Sequence, residues 1–96
     1  MATFITFGNF TDHGIKNVKK SPARAEAFKE MAQSHGVTVK EILWTVGQYD
    51  IALILEGTEE SVTAALLSVA TFGNVRTQTL RAFTADEMGR IVDKVS

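Results

Sequence analysis

Cysteine is absent from the 96 residues, which excludes disulfides, thiolate catalysis and cysteine-ligated zinc or iron–sulfur centres. Proline occurs once, and no low-complexity tract, linker-like stretch or internal repeat interrupts the chain. One domain spanning residues 1–96 is therefore expected. Neither sign of charge dominates: the net charge is -1, so no basic excess argues for nucleic acid and no acidic tail argues for a basic partner. No apolar run approaches the about 18 residues of a membrane span. Met1 leads directly into strand-like residues rather than into a basic and then apolar leader, so a soluble, cytoplasmic protein is the expectation. There is no glycine-rich phosphate loop and no H-E-x-x-H helix, and His13 and His35 lack metal-ligand spacing; no cofactor or metal is expected.

What is present is periodic. Thr3 to Phe7 (TFITF) has the β-branched and aromatic content of a strand. Thr11 and Asp12 open a short helix, with Ile15 and Val18 on one side. Ser21-Pro22 opens a longer one, with Ser21 as the expected cap and Pro22 in the first turn. Ala25, Phe28, Met31 and Ala32 form its apolar stripe, and Gly36 ends it. Lys16, Lys19, Lys20 and Arg24 read as a solvated helix face, and His35 as a complement to the helix dipole. Val37 to Val46 and Tyr49 to Glu56 read as two strands. Thr58 caps a helix carrying Val62, Ala65, Leu66 and Val69, which Gly73-Asn74 stops. Val75 to Phe83 is a fourth strand. Thr84 and Glu87 then form a capping box before an amphipathic tail with Met88, Ile91, Val92 and Val95.

The order β-α-β-β-α-β-α predicts an α+β, ferredoxin-like fold: a four-stranded antiparallel sheet in the order 4-1-3-2, helices on one face, and one extra C-terminal helix. Gly47-Gln48 fits a two-residue hairpin turn that sets Trp44 opposite Ile51 and Thr45 opposite Asp50. One face of that hairpin then holds Ile42, Trp44, Val46, Tyr49, Ile51, Leu53 and Leu55. The other holds Val39, Glu41, Leu43, Thr45, Asp50, Ala52, Ile54 and Glu56. The second face is still substantially apolar, so a homodimer with the sheets face to face is expected.

The end of the first strand, the hairpin turn and the start of the fourth strand meet at one end of such a sheet. They collect Asn9, Thr11, Asp12, His13, Trp44, Tyr49, Asp50, Arg76 and Thr77. His13, Trp44, Tyr49, Asp50 and Arg76 are the candidate ligand-binding residues, with Arg76 expected to reach toward Asp50. No catalytic constellation emerges. The third strand, QYDIALIL, lacks the basic-aromatic signature of RNA-recognition motifs. The short hairpin lacks the long loop of PII-type signal proteins, and Ala2 stands where tautomerases carry proline.

Four segments in order, NFTDHGIKN (Asn9 to Asn17), SPARAEAF (Ser21 to Phe28), WTVGQYD (Trp44 to Asp50) and GNVRTQTLRAF (Gly73 to Phe83), resemble the GYD domain family. Its glycine-tyrosine-aspartate signature stands here as Gly47, Tyr49 and Asp50. The resemblance covers nearly the whole chain and implies a dimeric α+β barrel. It carries no general reaction and no catalytic residue. The expected function is thus a homo-oligomeric module that binds a small molecule or a protein partner. The alternatives are a cofactor-independent enzyme, monooxygenase- or isomerase-like, on a small organic substrate, and a scaffold without ligand.

Overall fold

A computed structural model describes residues 1–96. The elements are β1 (Ala2–Phe10), α1 (Asp12–Lys16), a 3-10 turn (Val18–Lys20), α2 (Ser21–Ser34), β2 (Thr38–Trp44), β3 (Ile51–Gly57), α3 (Glu59–Ala70), β4 (Val75–Ala82) and α4 (Ala85–Val92). The sheet order is β2-β3-β1-β4 with every neighbouring pair antiparallel. This is the expected ferredoxin-like α+β arrangement with one helix added.

Cross-strand partners point to the same side of a sheet, so the register assigns each residue a face. Phe4, Thr6 and Gly8 lie opposite Leu55, Leu53 and Ile51 and form the face under the helices. There Phe4, Leu53 and Leu55 pack with Phe28 and Ala32 of α2, Val62 and Ala65 of α3, and Val37. These eight buried apolar residues are the whole core. Thr6 is fully enclosed among them, and its hydroxyl is satisfied by Thr79 Oγ1 at 2.8 Å.

The helix ends follow from local chemistry. Thr11 Oγ1 accepts from the Gly14 N–H at 3.0 Å, and Thr58 Oγ1 from Ser61 at 3.1 Å, each holding a first-turn donor that the helix leaves free. At the end of α2, Gly36 takes φ +80°, its N–H bonds to Gln33 O, and Val37 N–H reaches Ala32 O at 2.9 Å. That pair of bonds, with Val37 and Ala32 both buried, is a Schellman termination, and it feeds the chain straight into β2.

Three expectations change. Ser21 does not cap α2. The 3-10 turn runs into the helix without a break, so Ser21 already has helical backbone (φ -59°, ψ -43°) and its hydroxyl is free for another partner. Second, β2 carries a bulge: Val39 pairs with Leu55 but Glu41 with Ile54, leaving Lys40 extra. One extra residue reverses the alternation, so Val39 joins the core side while Glu41 and Leu43 stay on the open side. Third, the hairpin closes through Thr45 and Asp50 (Thr45 N to Asp50 O, 2.8 Å) around a four-residue loop, Val46 to Tyr49, rather than a two-residue turn. β3 begins at Ile51, and Tyr49 has left the strand.

The last helix stands apart. The radius of gyration is 14.6 Å, against about 12.5 Å for a compact chain of this length. The longest dimension is 51 Å, and α4 packs extensively on no other element. Its start is fixed by the expected capping box: Glu87 N–H donates to Thr84 Oγ1 (3.2 Å) and Thr84 N–H to Glu87 Oε1 (2.8 Å).

The Thr84 backbone N–H holds the Glu87 carboxyl below its ordinary range. A depressed carboxyl stabilises the folded helix above the ordinary carboxyl value, and that contribution is lost as pH falls through the lowered one. On acidification the Thr84 and Glu87 amide resonances are expected to move together at a pH below the ordinary carboxyl range, while β1 amides stay in place. A Glu87 that titrates like a free glutamate would contradict the box.

Candidate functional site

The chemistry-bearing residues gather at the hairpin end of the sheet, but the fold sorts them into three environments. The first is a cavity of about 570 Å³ between the helical layer and the sheet. The core fills the other half of that layer. Toward the hairpin the sheet offers Gly8, Ile51 and Thr77, and Gly8 has no side chain to fill the space above it: the nearest atoms to a Cβ placed there are 3.7 Å away. Trp44 stands at the β2 edge and Phe72 at the α3–β4 connection, with Phe10, Phe28 and Met31 further in. The Trp44 indole N–H donates to Ser21 Oγ at 2.9 Å, which is the use the freed hydroxyl finds and which ties β2 to the first turn of α2.

His13 and Arg24 are the two ionisable residues in the cavity wall, and no carboxylate lines it. His13 is placed by α1, whose close seating depends on Gly14. A Cβ at Gly14 would fall 1.9 Å from Asn74 O, so only glycine lets this helix lie against the α3–β4 connection. Thr11 holds the same junction, donating its N–H to Asn74 O (3.1 Å) and its hydroxyl to Gly73 O (2.6 Å). Arg24 was expected on a solvated face. Instead it is half-buried, facing the cavity, because Ser21, Arg24 and Phe28 follow one another at helical spacing on the inner side of α2. That spacing was the available signal, masked by the neighbouring lysines.

The second environment is the open face. Tyr49 was expected beside Trp44, under the helices. Because it lies in the loop and not in β3, it folds to the other side, where its ring stacks on Phe7 (centroids 4.6 Å apart, planes at 25°) and its hydroxyl donates to Gln78 Oε1 at 3.3 Å. Arg76, paired with Asn9 on this same side, is exposed.

The third is the plane of the sheet itself. β3 leaves β1 at Asp50, which would strand the Phe10 N–H. The Asp50 carboxylate substitutes for the missing strand: Oδ2 accepts from Phe10 N at 2.9 Å, and Asp50 N donates to Gly8 O at 2.9 Å. Arg76 forms no ion pair with Asp50, contrary to the expectation. Of the five candidates, His13 and Trp44 share the cavity, Tyr49 and Arg76 lie toward the other face, and Asp50 closes the end of the central strand. No cluster of His, Asp or Glu is grouped so as to hold a metal, and no helix is long and apolar enough to cross a membrane.

Comparison with known proteins fits this picture. The model of the GYD domain family matches residues 4–92, and the chain belongs to that family. A Thermus thermophilus protein named glutamine synthetase and cystathionine beta-lyase binding protein is 34% identical over 94 residues, covering 95% of this chain and 99% of that one. A solved structure of a homoserine dehydrogenase from Thiobacillus denitrificans superposes with a TM-score of 0.53 at 16% identity, over 83% of this chain and 17% of that chain. The chain therefore spans a small part of that enzyme, and the likeness is one of fold.

Asp50→Ala is expected to lower unfolding stability by about 1.5–3 kcal/mol, the worth of a hydrogen bond to a charged group. Asp50→Asn, which keeps a neutral acceptor, should recover about half of that. Urea midpoints at one protein concentration decide it; an unchanged midpoint for the alanine variant removes Asp50 from the structural role.

Proposed function

We propose that this GYD domain chain is a non-catalytic binding module that works as a homodimer and docks on a protein partner, a metabolic enzyme. The observation that carries the reading is the uncovered face of the sheet. Ile54, Ile5 and Leu80 form one cross-strand row on it, and Leu43, Ala52 and Phe7 the next. No helix lies over them, and Leu43, Ile54 and Leu80 are between 39% and 52% exposed. A contiguous apolar face of this kind marks an association surface. Two copies placing identical faces together is the commonest closed arrangement, and it is the dimeric α+β barrel geometry that the sequence resemblance implies.

A protein partner is supported by the Thermus thermophilus relative, whose name gives it two enzymes to bind. With the sheets paired, α4 still presents apolar residues to solvent. Met88, Ile91 and Val92 stand at i, i+3 and i+4 along it and are exposed. That is the anchor pattern by which an amphipathic helix enters a groove on another protein. The competing reading, a cofactor-independent enzyme, draws on His13 in the cavity wall. It lacks a carboxylate beside it, because Asp50 is engaged by the Phe10 N–H and lies outside the cavity lining.

Size exclusion with light scattering is expected to give a dimer mass at micromolar concentration, and Ile54→Lys a monomer. Purified glutamine synthetase or cystathionine beta-lyase from the same cell is expected to co-elute with the chain. The double change Met88→Lys, Ile91→Lys should abolish co-elution and leave the dimer mass intact. A monomer at every concentration removes the dimer; co-elution that ignores the α4 variant removes the assigned surface.

A further inference from the structure

The cavity under the helices is unexplained by protein docking. It lies on the face of the sheet opposite the proposed dimer surface, and at about 570 Å³ it falls within the range of small-molecule sites, roughly 300–1,000 Å³. We infer that it is a binding site for a small aromatic carboxylic acid, with the ring among Phe10, Phe28, Trp44 and Phe72 and the carboxylate on Arg24.

Three observations carry this. The first is the lining: 13 of its 19 residues are hydrophobic, so the occupant is mostly apolar. The aromatic residues among them offer ring faces and edges to a planar guest. The second is charge. Arg24 and His13 face the cavity and no aspartate or glutamate does, so the interior favours an anion. Arg24 is in no ion pair, and its guanidinium makes a single protein hydrogen bond, to Asn17 O at 3.4 Å. A forked set of donors remains free for the two oxygens of a carboxylate. The third is the way the space is held open. The bond from Trp44 to Ser21 Oγ fixes one wall, Gly14 lets α1 form the end, and Gly8 leaves the floor bare. A collapsed core would have filled this volume; side chains already committed elsewhere keep it.

The test uses 2-naphthoate, its neutral counterpart 2-naphthamide, and acetate, titrated by calorimetry into the full chain, with the contact surface mapped by ¹H–¹⁵N NMR. The naphthoate is expected to bind about 10-fold or more tightly than the amide, the difference a charge-assisted pair makes, and acetate too weakly to measure. The Trp44 indole N–H and the Gly8 amide should shift, and the Ile5 and Ile54 amides on the open face should not. Arg24→Gln, a change at a half-buried helix position, should erase the preference for the acid while the amide binds as before. Gly8→Leu, for which the backbone leaves room, should fill the floor and weaken both naphthyl probes by about 10-fold or more. Equal affinity for acid and amide, an acid preference that survives Arg24→Gln, shifts confined to the open face, or no binding of either naphthyl probe would each overturn the assignment. None of these readouts depends on the dimer or on the partner enzyme, so this site and the docking role stand or fall separately.

Discussion

The helices α2 and α3 both lie on one side of a four-stranded sheet, and they fill that side unevenly. Around Leu55 the layer closes on itself, with Ala32 and Ala65 letting the helices come down onto the strands. Eight buried residues are a small core for 96. Much of the remaining apolar surface lies in a half-open cavity at the hairpin end, on an uncovered sheet face and on a detached helix. Each presents its apolar surface differently: concave, flat and convex.

The family signature takes on a physical meaning in this frame. The strand β1 is central and longer than β3, so its far end, paired with β4 through Phe10, would carry unpaired backbone on the β3 side. Tyr49 stacks against it from the open face, Asp50 closes its edge through the Phe10 N–H, and the loop that contains Gly47 turns the chain between them. The three residues are a clasp on the central strand. Close in sequence, they divide the structural labour between them in space.

The topology was legible because its signals are local. Thr11, Thr58 and Thr84 announce α1, α3 and α4, whose first turns they cap, and Gly36 and Gly73 follow the ends of α2 and α3. What escaped was parity and competition. The bulge at Lys40 depends on which of two alternations buries more, and Val39 decides it by packing on the core. The wider hairpin keeps Thr45 opposite Asp50, as the two-residue turn would, yet it sends Tyr49 to the other face. Ser21 has the sequence of a cap, but the preceding 3-10 turn satisfies the geometry first and Trp44 takes the hydroxyl. Arg24 was hidden for the same reason: a cation following lysines reads as solvated until the helix is rotated against a sheet.

The irregularity at Lys40 reaches beyond face assignment. β2 is a terminal strand of the sheet, and a terminal strand with regular backbone is a template on which further strands add without limit. A kinked edge carrying a lysine, with its ammonium 3.9 Å from Glu56, interrupts the row of groups that an incoming strand would need. Growth along the hydrogen-bonding direction is thereby discouraged, while contact through the broad face is left open. Edge addition propagates into fibres, whereas stacking of two identical faces uses up the surface that makes it. A single inserted residue thus separates the finite mode of assembly from the endless one.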